Sequence, residues 1–198
     1  MKIAAFDLDG TLTRRDSMIA FIHYVVGNRR FYFGFLMQLP RVIGVKVFGV
    51  QRGKAKGHFL KYFFKHRTRE ELEALGRSFA SSQTDLFRPD TLARLRWHQA
   101  KGHRCVLVSA SIDMWVKPIA DALGLECVCS KARYEDNFCV GLDGENCHGQ
   151  EKVNRLQEYL GEDVKSIAYA YGDTSGDREM INRAEQGFWV NKPLPHWD

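Results

Sequence analysis

Between Asp16 and Glu70 the chain contains no acidic residue. That absence rules out a surface of balanced charge over the segment. Residues 14–85 hold 14 Lys plus Arg against 5 Asp plus Glu, a net of +9, whereas the whole chain carries +5 and the remainder −4. A concentrated positive field attracts anions, and beside an anionic membrane each basic residue is worth about 1 kcal/mol. Internal repeats and low-complexity tracts are also missing, which argues against solenoids and disordered arrays. The N-terminus has no secretory signal and the five cysteines are odd in number, so reduced thiols in a cytoplasmic protein are expected rather than a disulfide framework. Cys127, Cys129, Cys139 and the Cys147-His148 pair match no familiar zinc-finger spacing, and Cys127 and Cys129 fall in a strand-like run where small apolar side chains pack well. A clean membrane span is lacking too. The apolar run from Phe31 to Val50 is broken by Gln38, Pro40, Arg41 and Lys46, and Pro40-Arg41 would lie mid-bilayer. Two short helices meeting at Pro40 are expected instead, either packed as a core of their own or laid with one apolar face in a membrane interface.

What is present is a soluble, enzyme-like composition: 198 residues, 44% hydrophobic and 27% charged, enough for one catalytic domain with an insertion. The chain opens on an apolar run, Ile3-Ala4-Ala5, which passes directly into Phe6-Asp7-Leu8-Asp9-Gly10-Thr11-Leu12-Thr13. Strand alternation would put Asp7 and Asp9 on one side of an extended chain, where they repel unless a cation or proton intervenes. Gly10 lets the backbone turn away and frees its N–H for an anion. A turn alone explains Gly10 but not two acids at a strand end.

Further pieces follow in order. Arg104-Cys105-Val106-Leu107-Val108 reads as a buried strand ending at Ser109-Ala110-Ser111. Lys152 lies in Gln150-Glu151-Lys152-Val153, at the start of a helix. Ile167-Ala168-Tyr169-Ala170-Tyr171 is another strand, followed by Gly172-Asp173-Thr174-Ser175-Gly176-Asp177. Taken singly, Ser109 is a helix N-cap, Lys152 a solvated lysine and Asp173 a turn residue. Four such pieces in sequence, each at a strand end or helix start, resemble the motifs of the haloacid dehalogenase superfamily.

The resemblance implies a covalent phosphoryl-transfer mechanism. Asp7 would be the nucleophile and Asp9 the general acid and base. Ser109 and Lys152 would hold phosphoryl oxygens, with Gly10, Ala110 and Ser111 adding backbone or hydroxyl contacts to the phosphate. Magnesium would be bound by Asp7, the Asp9 carbonyl and Asp173, with Asp177 in an outer position or acting through water. An acid at position 9 argues for rapid phosphomonoester hydrolysis, since the superfamily's dehalogenases lack one there and its ion pumps carry threonine.

Strands alternating with helices imply an α/β fold, a Rossmann-like doubly wound parallel sheet with active residues at its carboxyl edge. Residues 1–13 and 86–198 are expected to form the catalytic core. Residues 14–85, aromatic-rich and helical in spacing, are expected to form a cap inserted between the first and second motifs. A mostly helical cap in this place is similar to the phosphoserine-phosphatase-like branch, and the chain looks like the bacterial phosphatidylglycerophosphatase C group within it. Asp16 occupies the place of that branch's acidic cap residue; as plain chemistry it is equally an N-cap for the following helix, with Ser17 as a competitor. The expected partner is a phosphomonoester, preferably a lipid phosphomonoester met at the cytoplasmic membrane surface, with no nucleic acid. A soluble metabolite such as phosphoserine is the alternative. More remote is a catalytically silent module binding anionic lipid or RNA, for which substitution at Asp7 or Asp9 would have been the signature.

Overall fold

Ile3, Ala4, Ala5 and Phe6 are all buried, and their side chains divide by alternation: Ala4 and Phe6 join one hydrophobic cluster, Ile3 and Ala5 another. A strand with two apolar faces needs cover on both, which is the situation of a central parallel strand. In the computed structural model this strand, β1 (Ile3–Phe6), lies between β2 (Arg104–Ile112) and β5 (Ile167–Gly172), parallel to both. The structure describes residues 1–48, 52–161 and 166–195, with the backbone alone described for 39–48, 52 and 84.

The sheet has six strands in the order β4-β3-β2-β1-β5-β6, where β3 is Glu126–Glu135, β4 is Phe138–Asp143 and β6 is Ala184–Trp189. Only the β3–β4 pair is antiparallel, a hairpin turned at Asp136 and Asn137, both with positive φ. One face is covered by α6 (Gln150–Leu160) and α7 (Arg178–Arg183) through Val153, Leu156, Met180 and Ile181. The opposite cluster draws on α4 (Pro89–Ala100) and α5 (Asp113–Leu123) through Leu95, Trp115 and Ile119. After β1 the chain builds outward on one side, then returns to build β5 and β6 on the other. The reversal opens a crevice at the carboxyl end of β1, where doubly wound sheets bind ligands.

The aromatic segment forms α1 (Ser17–Phe48), α2 (Arg52–Phe64) and α3 (Arg69–Ser82). Much of its aromatic content packs inward. Phe21 stacks on Trp115 of α5 at 4.9 Å between ring centroids and meets Phe79 at 5.3 Å, while Phe59 meets Phe63 at 5.0 Å. The expected junction of two helices at Pro40 is not found. Helical backbone runs through Pro40 to Phe48, and the break in α1 falls at Gly27, with φ +71 and ψ 168. A left-handed φ is open to glycine and ends a helix there, whereas proline removes only one hydrogen bond and is also housed inside α5, as Pro118. Residues 49 and 50, the end of the apolar run, lie outside the described residues. No helix among the described residues is long and apolar enough to cross a membrane.

Candidate active site

The turn after β1 is not the extended pair of carboxylates that alternation predicts. The backbone coils at once into a single wide helical turn over Leu8–Leu12, with Gly10 at φ +82. Thr13 closes the turn through its N–H and its hydroxyl, both donated to the Leu8 carbonyl, at 2.9 and 3.0 Å. Thr91 donates to the Thr11 carbonyl at 2.8 Å. Gly10 is required on two counts: its φ, and the Asp173 carboxylate, whose Oδ2 would lie 2.2 Å from any Cβ added there. Coiling sends Asp7 and Asp9 to different partners while both still line one cleft of about 350 Å³.

Asp7 is held from behind. Its N–H donates to the Tyr171 carbonyl at 3.0 Å, and its Oδ1 accepts from Lys152 Nζ at 2.5 Å. The same ammonium donates to Asp177 Oδ1 at 2.6 Å and to the Val108 carbonyl at 2.9 Å, so all three of its protons are placed. Asp7, Lys152 and Asp177 are 6%, 2% and 1% exposed. Asp177 Oδ2 accepts from the amides of Asp173 and Thr174 at 3.2 and 3.0 Å, in a capping box with Thr174.

One oxygen each of Asp7, Asp173 and Asp177 falls within 4.8 Å of the others. Two buried carboxylates share the one Lys152 ammonium and the half-buried Asp173 stands beside them, which leaves an excess of negative charge. Burial pushes the Asp7 carboxyl up to about 7 despite Lys152, which pulls it down, and the Asp177 and Asp9 charges push the same way as burial. Burial, then the Asp177 charge, raises Asp173 as well. Burial alone would weaken the Lys152 ammonium, but Asp7 and Asp177 together hold it protonated. Such a cluster calls for a proton or a hard cation, and carboxylate oxygens suit the latter.

Asp9 faces the helices instead. Its Oδ1 accepts from the Ser17 N–H at 2.6 Å and its Oδ2 from the Ser111 hydroxyl at 2.5 Å. Ser17 is fixed in turn by Trp115 Nε1, which donates to its Oγ at 2.9 Å. Ser109 is buried with its Oγ accepting the Ser111 N–H at 3.0 Å, and the cleft wall here is Ala110 and Ser111. Asp16 lines the cleft and also caps α1, accepting the Ile19 N–H at 3.0 Å, while Ser17, engaged with Trp115, does not compete for the cap.

Sequence reasoning gave three side chains no part in this site, His148 being weighed only with Cys147 as a zinc ligand. Lys56 of α2 reaches into the cleft, donating to the Ala110 carbonyl at 2.7 Å and to Asn146 Oδ1 at 3.0 Å. Burial lowers its pKa against the opposing pull of Asp9 and Asp16. His148 lines the cleft beside Gly176, where a Cβ would come within 2.5 Å of its Nε2. No motif marks Lys56, Asn146 or His148, because folding alone brings α2 and the segment before α6 to the ends of β1 and β2.

The family model for haloacid dehalogenase-like hydrolases matches residues 4–182, the span that holds these pieces. The chain belongs to this family. It is a hydrolase with the family's Rossmann-like core. Protein CicA of Caulobacter vibrioides is 42% identical over 198 residues, covering 98% of this chain and 88% of CicA. Among solved structures, a protein with unknown function from Bordetella pertussis Tohama I superposes with a TM-score of 0.74 at 22% identity, covering 92% of this chain and 86% of that one. A phosphoserine phosphohydrolase-like protein from Francisella tularensis superposes with a TM-score of 0.66 at 14% identity, covering 94% and 84%. At these identities the structural likenesses speak for the fold.

Proposed function

We propose that this haloacid dehalogenase-like hydrolase is a magnesium-dependent phosphomonoesterase acting through a phosphoaspartyl intermediate. In this reading residues 14–85 are a cap over a core made of residues 1–13 and 86–198. The observation that carries the chemistry is the asymmetric holding of Asp7. Asp7 lines the cleft and Lys152 occupies its Oδ1, so in this reading Oδ2 is the attacking atom. Asp7 forms a bond to phosphorus while the bond to the ester oxygen breaks, and Asp9 gives that oxygen its proton. Water then attacks phosphorus, Asp9 takes the water's proton, and the Asp7–phosphorus bond breaks to release phosphate. Ser111 and the Ser17 amide position Asp9 for both proton transfers. The Asp7 and Asp173 carboxylates and the Asp9 carbonyl would hold the magnesium ion, which supplies charge neutralisation, and Asp177 supports them through Lys152. Ser109, Gly10, Ala110, Ser111 and Lys152 would receive the phosphoryl oxygens, which requires Lys152 and Ser111 to exchange contacts they make here with Asp7, Asp177, Val108, Asp9 and Ser109.

For the substrate we favour an amphiphilic phosphomonoester at an anionic membrane surface. Tyr32, Phe33, Leu36 and Met37 are 66%, 64%, 63% and 54% exposed, one stripe of α1 bordered by exposed Arg29 and Arg30. Apolar side chains ringed by arginine suit the headgroup boundary of an anionic bilayer. Phe35 does not belong to this stripe. It lies two helical positions from Phe33, on the inner face, 6.0 Å from Phe31 and 6.3 Å from Phe59 between ring centroids. Vesicle sedimentation with Phe33→Ser and Leu36→Ser tests the surface. Both should weaken binding to anionic vesicles and turnover of a lipid phosphomonoester while sparing a short soluble one. Wild-type protein that ignores anionic vesicles at low salt would overturn the lipid reading. One observation favours the soluble alternative, phosphoserine: Asp16 and Lys56 both face the cleft, an anion and a cation suited to an ammonium and a carboxylate. A higher kcat/KM for phosphoserine than for any lipid phosphate would decide for it.

A further inference from the structure

A second cavity adjoins the catalytic cleft. It has a volume of about 790 Å³ and runs between α2 and the β3–β4 hairpin toward the start of α6. Close contact between α2 and β4 shapes it. A Cβ on Gly53 would lie 3.5 Å from Leu142 Cδ2, one on Gly57 3.4 Å from the Leu142 nitrogen, and one on Gly141 3.2 Å from the Gly57 carbonyl oxygen. With backbone this near backbone, the neighbouring face of α2 becomes a wall. That wall carries Lys54, His58 and Lys61, at helical spacings of four and three, all exposed, and Arg133 of β3 adds a further cation. The acids in the groove are Glu145 and Glu151, of which Glu151 is bound to Arg155 at 2.6 Å. Arg133 pairs with Glu135 at 3.1 Å, an exposed contact that water and salt screen.

The groove and the cleft share His148 in their walls. Between them stands the Lys56–Asn146 hydrogen bond, itself anchored to Ser130, whose hydroxyl donates to Asn146 Oδ1 at 3.2 Å. A molecule seated with its phosphoester at Asp7 thus has a cation-walled extension of its site on the far side of one lysine and one asparagine.

We infer that this groove is a subsite for a second anionic group of the substrate, a phosphate or phosphodiester carried by the leaving group. The inference rests on the phosphomonoesterase reading for the first phosphate and adds what the rest of the molecule must carry. Two lysines on one helix wall set their charges on the same side of the groove, and that charge raises the local concentration of a second phosphate.

The test uses the full chain with magnesium and two matched pairs: propyl phosphate against propane-1,3-diol bisphosphate, and hexyl phosphate against hexane-1,6-diol bisphosphate. Wild-type protein should show a KM about tenfold lower for at least one bisphosphate than for its monophosphate, the worth of one charge-assisted contact and more than two equivalent ends account for. The Lys54→Gln, Lys61→Gln double variant should lose that ratio, with kcat and the propyl phosphate kinetics unchanged. No preference in the wild type, or a preference that survives in the double variant, overturns the subsite. Calorimetric binding of the same four compounds to the Asp7→Asn variant, with and without the lysine substitutions, reads the subsite without turnover. If none of the four is hydrolysed, the phosphatase reading falls, and the affinity ratio alone still decides the groove.

Discussion

Lys152→Met removes the ammonium between Asp7 and Asp177 while keeping a side chain of similar length. The lysine lies 2.5 Å from Asp7 Oδ1, 2.6 Å from Asp177 Oδ1 and 2.9 Å from the Val108 carbonyl, and it is buried with both acids. Breaking a buried ion pair by deleting one partner costs about 3–5 kcal/mol, because the remaining charge has neither water nor a partner. Two carboxylates are stranded here, so the upper part of that range is expected in chelator. The deficit should depend on pH in a definite direction. Burial already holds the Asp7 carboxyl at about 7, above its ordinary value of 3.8, even with Lys152 present. Without the lysine it rises further. A carboxyl whose pKa is higher folded than unfolded binds protons more tightly in the folded state, so stability is retained at low pH and lost as pH rises through the folded value. Urea melts followed by circular dichroism in chelator should therefore show the gap between variant and wild type widening from pH 5.5 to pH 8. Magnesium should narrow it at pH 8 by binding the folded state. A variant within about 1 kcal/mol of the wild type at pH 8, or a gap that narrows as pH rises, would refute the charge bookkeeping at this site.

Three other outcomes follow from the same geometry. Ser111→Ala frees Asp9 Oδ2 from its 2.5 Å hydrogen bond and should lower kcat about tenfold with KM little changed, read by steady-state kinetics. Asp173→Ala removes a carboxylate of the acidic cluster and should raise the magnesium concentration needed for half-maximal activity, measured by titration of the chelated enzyme. Burial, with the His103 and Arg94 charges, depresses His98 from 6.5 to about 3, so stability complete above pH 6.5 should fall between pH 6.5 and 3; His98→Phe should flatten that slope in urea melts at pH 7 and pH 4.5.

Much of the fold was legible because period and punctuation agree along the core. Each apolar run ends at a polar cluster, and those clusters are the carboxyl ends of β1, β2 and β5, where Asp7, Ser109 and Asp173 lie. What escaped was set by three-dimensional packing or by local backbone conformation. The Asp7–Asp9 pair was expected to alternate, but the chain coils immediately after Phe6, and only Gly10 with its left-handed φ signals such a turn. The break in α1 was expected at Pro40 and falls at Gly27, where conformational freedom outweighs the loss of one hydrogen bond. Phe33 and Phe35 read alike in a mostly apolar run; their opposite faces emerge once helix α1 has a partner, with Phe35 turned to Phe59 and Phe33 to solvent. Lys56 is one cation among many in the basic segment, and its reach to the Ala110 carbonyl is a tertiary fact.

The most direct test is to trap the phosphorylated enzyme. Protein quenched in acid during turnover of a phosphomonoester, then reduced with tritiated borohydride, which expels the phosphate and turns the aspartyl group into homoserine, and digested, should carry tritium at position 7, at the carboxylate whose other oxygen Lys152 holds. Asp7→Asn should show no label and less than about a thousandth of wild-type turnover, the cost of removing a nucleophile. Label on any other residue, or full turnover with no trapped aspartate, would contradict the mechanism.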